Sequence, residues 1–136
     1  MFFYTHALVA VAMVSFFTVE PFYLLAAALI GALPDLDIFI SHRKWFSHSL
    51  FSTLVFTLTA YIASSFSLSW AFITFVAALS HVLTDILTKS GVPLFGPLRK
   101  GDVAIPLFLS SGRKTNLAFI LISCIILGSN LALALR

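Results

Sequence analysis

Gly31-Ala32-Leu33-Pro34-Asp35-Leu36-Asp37, followed by Ser41-His42-Arg43 and Phe46-Ser47-His48-Ser49, interrupts a chain that is otherwise apolar. Two carboxylates and two imidazoles fall within fourteen residues, in a protein with only five acids and four histidines. Apolar runs flank the stretch on both sides. The residue before a proline is disfavoured in helix, so Pro34 closes the run that precedes it. The stretch therefore reads as a metal-binding shelf at a membrane surface, to which His6, His81 and Asp85 return.

The composition supports the membrane. Of 136 residues, 60% are hydrophobic and 10% charged, where soluble domains carry about 25% charged residues. Mean hydropathy is +1.08. A soluble domain of this size cannot hide so much apolar surface, so lipid must be part of its solvent. The net charge of +3 comes without any dense basic run, which argues against a nucleic-acid partner. Cys124 is the sole cysteine, so neither an internal disulfide nor a thiolate metal cluster is expected. No Lys or Arg precedes the first apolar run, and no removable signal peptide is expected.

Five apolar segments are marked at about 3–19, 22–33, 49–66, 68–87 and 117–135. The last three approach the ~20 residues that cross a ~30 Å core as helix. The first two are short. They are separated by Glu20-Pro21, where proline suits the first turn of a new helix, and they form either short tilted spans or a hairpin that enters partway. Ser64-Ser65-Phe66-Ser67 makes an uncharged turn between segments three and four. The long connection 88–115 holds Gly91, Pro93, Gly96, Pro97, Gly101, Pro106 and Gly112, which oppose a continuous helix. The expected fold is all-α: a polytopic membrane helical bundle of four to five helices, one integral-membrane domain over 1–136, with a long cytoplasmic loop.

Basic residues set the orientation. Arg43 and Lys44 lie in the first polar loop, and Lys89, Arg99, Lys100, Arg113 and Lys114 lie in or beside the long one, whereas the turns at Glu20-Pro21 and 64–67 carry none. The positive-inside rule places both basic loops in the cytoplasm. With five crossings, every histidine and Asp35, Asp37 and Asp85 then fall at the inner face. His81 and Asp85 are four residues apart and share one side of a helix. Asp35 and Asp37 flank Leu36 in a turn where alternate residues point the same way. Imidazole and carboxylate donors without thiolates suit zinc, manganese or iron(II). His6, Asp35, Asp37, His42, His48, His81 and Asp85 are more donors than one ion needs, so one or two divalent ions are expected, a pair lying about 3.5–4 Å apart.

Each piece alone has a plainer reading. Pro34–Asp37 can be a helix-terminating turn, His81 and Asp85 a hydrogen-bonded pair within a bundle, and His42 beside Arg43-Lys44 a headgroup contact. Together they resist it, because an ionisable group at membrane depth costs about 2.5–3.5 kcal/mol or more and defaults to a functional role.

The ordered set Thr5-His6, Gly31–Asp37, His42-Arg43, Ser47-His48-Ser49, Ser80-His81-Val82-Leu83-Thr84-Asp85 and Thr88-Lys89-Ser90-Gly91-Val92-Pro93 resembles the YdjM-type (LexA-regulated) family. These are small inner-membrane proteins of bacteria and archaea described as membrane-bound metal-dependent hydrolases. The resemblance runs from residue 5 to about 108 and covers the seven donors named above. It implies metal-dependent hydrolysis at the cytoplasmic membrane without specifying a substrate. The expected substrate is a lipid or lipid-linked phosphoester. Asp37 is expected as ligand, bridge or base orienting the attacking water, and Arg43, with Lys44 or Lys89, as the phosphate holder. Two rivals use the same residues: a proton- or metal-coupled transporter, weakened by the lack of an inverted repeat, and a structural metal clip joining helix ends.

Overall fold

A computed structural model describes residues 1–39, 46–99, 101–105, 107 and 112–136, with backbone alone at 37–39 and 46. Among them the chain forms five α-helices: α1 (Phe3–Val14), α2 (Pro21–Ala32), α3 (Leu50–Ala63), α4 (Leu68–Ile86) and α5 (Arg113–Ala134). No strand occurs among the described residues; Val92 and Val103 form a single antiparallel bridge. The all-helical expectation holds.

Local chemistry explains the helix ends. Pro21 occupies the first turn of α2, where its missing N–H is no loss. Ser49 and Ser52 form a reciprocal capping box at the start of α3: the Ser52 N–H donates to Ser49 Oγ at 3.2 Å and the Ser49 N–H to Ser52 Oγ at 3.3 Å. α3 has 14 residues, shorter than the apolar run 49–66 suggested. Ser65 and Phe66 adopt φ of 55° and 68°, and the Phe66 N–H donates back to the Tyr61 carbonyl at 2.8 Å, which closes the helix early. α1 likewise stops at Val14, where Ser15 Oγ donates to the Ala12 carbonyl. α5 begins at Arg113, before the apolar run proper.

Among the described residues, only α4 and α5 are long and apolar enough to cross a membrane. At 19 and 22 residues they measure about 28 and 33 Å.

α1 packs against α2, α4 and α5, α2 also against α4, and α3 against α4. The apolar core is small: Ala10, Val14, Ala27, Ile73 and Ala77 meet where α1, α2 and α4 cross. Gly31 permits the closest approach, since a Cβ there would collide with the Ala10 methyl and lie 3.0 Å from the His6 carbonyl oxygen. α1 therefore seats directly on the end of α2. Helices α1–α5 alternate in direction, so the start of α1, the end of α2, the start of α3 and the end of α4 gather at one end. The connection after α4 is tied to that end. Its Val92 packs with Val82 and Ile86, the Leu50 N–H donates to the Leu94 carbonyl at 3.0 Å and the Ile105 N–H to the Ile86 carbonyl at 2.7 Å.

Among the described residues, the largest fully buried side chains are His6, His48 and His81, while large apolar residues such as Phe3, Phe22, Leu25, Leu58, Phe72 and Ile125 are exposed. This inverts the order of a water-soluble domain.

Candidate metal centre

At the gathered end, five side chains from five different turns of chain converge. His6 comes from the first turns of α1, Asp35 from a 3-10 helix (Leu33–Phe39) that continues α2, and His48 from a 3-10 turn (Phe46–His48) that leads into α3. His81 and Asp85 come from the last turns of α4. All five are buried, the histidines and Asp85 completely.

Each imidazole presents Nε2 to both carboxylates. His6 Nε2 lies 3.8 Å from Asp35 Oδ2 and 3.4 Å from Asp85 Oδ1. His48 Nε2 lies 3.6 Å from Asp35 Oδ1 and 3.7 Å from Asp85 Oδ2. His81 Nε2 lies 3.9 Å from Asp35 Oδ1 and 3.8 Å from Asp85 Oδ2. These separations exceed a hydrogen bond. They are the spacing of neighbouring donors around an ion held at about 2.0–2.2 Å.

The outer nitrogens show which side of each ring faces inward. His81 Nδ1 is 2.7 Å from the Gly31 carbonyl oxygen. A carbonyl only accepts, so Nδ1 carries the proton and Nε2 of the neutral ring offers a lone pair. His6 Nδ1 is 3.0 Å from Thr84 Oγ1, which in turn lies 2.8 Å from the His81 carbonyl and 3.0 Å from that of Ser80. The single hydroxyl proton goes to a helix carbonyl, leaving Oγ1 to accept from His6 Nδ1–H. In a neutral His6 ring, Nε2 is then also a bare lone pair. Backbone and hydroxyl partners on the far nitrogen are the usual support of a metal-binding imidazole.

Lone pairs therefore face carboxylate oxygens with no proton between them. His6 Nε2, His81 Nε2 and both Asp35 carboxylate oxygens are buried without a hydrogen-bond partner among the described residues. Such an arrangement is costly as it stands; a divalent cation among the donors would satisfy every one of them.

His6, Asp35, His48, His81 and Asp85 are thus brought together as the sequence suggested. The side chain of Asp37 and the whole of His42, Arg43 and Lys44 lie outside the described residues; Lys89 is exposed. The backbone of Asp35 and Asp37 lies in one 3-10 helix. Sequence reasoning also missed the supports: the Gly31 carbonyl, Thr84, and Asn116 of α5. Asn116 Oδ1 accepts from the Phe2 N–H at 2.9 Å and from Thr5 Oγ1 at 2.8 Å, holding the start of α1 in register. A lone asparagine in the first turns of an apolar helix was the available signal.

The YdjM family model matches residues 1–135. The chain belongs to the YdjM inner membrane protein family. The match takes in every element that supplies a donor, and it extends through α5, beyond the motifs quoted above. Neither the curated proteins nor the solved structures contain a match to this chain.

Proposed function

We propose that this protein is a multi-pass, metal-dependent hydrolase that cleaves a phosphoester of a lipid or lipid-linked molecule at the cytoplasmic face of the inner membrane. The reading rests above all on one observation: His6 and His81 aim their Nε2 atoms at the carboxylates of Asp35 and Asp85 in a buried pocket. That donor set makes little sense without a cation. The multi-pass reading is supported by the apolar exteriors of all five helices around a polar interior. α1–α3, at 12–14 residues, are matched to the bilayer by local thinning. The cytoplasmic side is supported by Arg43 and Lys44, which lie between Asp35 and His48 in the sequence, and by Lys89, which follows Asp85.

His6, Asp35, His48, His81 and Asp85 would hold the ion. A bound divalent ion polarises a phosphoryl oxygen and lowers the pKa of a water towards about 7. Gly31 and Thr84 keep the His81 and His6 rings oriented, so no reorganisation is needed on binding. We assign Asp37 to orienting the attacking water and Arg43 to holding the phosphate, from their places beside the donors in the sequence. The test compares metal-free and metal-reconstituted protein in mixed micelles against a panel of phospholipids and lipid-linked phosphates. Hydrolysis that depends on the added divalent ion is expected. Equal rates without metal would refute the mechanism.

A further inference from the structure

The carboxylate oxygens are divided between the imidazoles. Asp35 Oδ2 and Asp85 Oδ1 face His6, whereas Asp35 Oδ1 and Asp85 Oδ2 face both His48 and His81. From this division we infer that the centre holds two divalent cations, with both carboxylates bridging them, one cation on His6 and the other on His48 and His81. The inference rests on the metal-centre reading above and specifies its nuclearity.

Three further features agree. The donors fall into two overlapping triads, His6, His81 and Asp85, and Asp35, His48 and His81. An imidazole nitrogen has one lone pair and serves one ion, so His81 cannot belong to both; its oxygen partners put it with His48. Secondly, the rings of His6 and His81 are stacked, with centroids 3.8 Å apart and planes 24° apart. Stacked rings aim their lone pairs side by side, at points about as far apart as the ions of a two-metal site, roughly 3.5–4 Å. By contrast, the His48 and His81 rings are inclined at 63°, as two imidazoles converging on one ion are. Thirdly, two carboxylates against two divalent ions leave the centre net positive, which suits a phosphate-type anion.

The two positions differ. Among the described residues, the His48/His81 position has four protein donors and the His6 position three. The N-terminal ammonium of Met1 lies 3.3 Å from Asp85 Oδ1, so the His6 position exchanges that ammonium for its ion. It should also fill second and empty first.

The test is a manganese titration of full-length protein in detergent, read by bound-metal analysis and electron paramagnetic resonance. Wild type should take up two Mn²⁺ per chain, with an exchange-coupled spectrum at saturation. His6→Ala should retain one ion with an isolated six-line spectrum. If His6→Ala does not fold, substoichiometric loading of wild type should give the same isolated spectrum, because the four-donor position fills first. Saturation at one ion per chain, or two ions without coupling, overturns the two-ion centre and leaves a metal centre standing. No bound metal at all overturns both.

Discussion

His81 Nδ1 donates to the Gly31 carbonyl at 2.7 Å, so a backbone group at the end of α2 determines which nitrogen of a ring on α4 faces the carboxylates. The same glycine lets α1 approach: a Cβ at this position would meet the Ala10 methyl and the His6 carbonyl. Gly31 therefore sets the positions of two donors without contributing a side chain. Gly31→Ala should push α1 away from α2 at an overpacking cost of about 1–3 kcal/mol. Thermal unfolding and metal titration in detergent should show a lower Tm and weaker metal binding together. Unchanged values for both would mean that the close approach does not position the donors.

Thr84 plays the matching role for His6. Thr84→Val preserves shape and removes the acceptor for His6 Nδ1–H. Losing such a supporting partner typically costs 10–100-fold in metal affinity, and Thr84→Ser should recover most of it. A valine variant that binds metal like wild type would assign Thr84 to helix packing alone.

Chelation should destabilise the protein. Without a cation the His6 and His81 lone pairs stand against the Asp35 and Asp85 oxygens in a buried site. A ligand at about 1,000 times its Kd stabilises the folded state by roughly 4 kcal/mol. EDTA should lower Tm by several degrees, a divalent salt should restore it, and Asp85→Asn should blunt the response. A melting curve indifferent to chelator would contradict this.

The sequence carried the donors better than the scaffold. His81 and Asp85 were readable as a pair because helical spacing alone puts them on one side. His6, Asp35 and His48 were readable because alternating helices must return their ends to one face, a consequence of topology and not of local pattern. What the sequence hid depends on backbone conformation. Nothing in Ser65-Phe66 announces two consecutive positive φ angles, which are uncommon outside glycine, so α3 was expected to be longer than it is. The Gly31 carbonyl has no side-chain signature. Asp35-Leu36-Asp37 looked like an extended turn, but the chain leaving α2 tightens into a 3-10 helix, and Leu33 keeps helical angles although it precedes Pro34.

X-ray absorption at the metal edge tests the centre most directly. Protein loaded with zinc or manganese should show a first shell of nitrogen and oxygen only, with outer-shell scattering from imidazole rings that weakens in His81→Ala. A spectrum of water-like oxygen ligands without imidazole scattering would place the ion elsewhere and contradict a centre built from His6, Asp35, His48, His81 and Asp85.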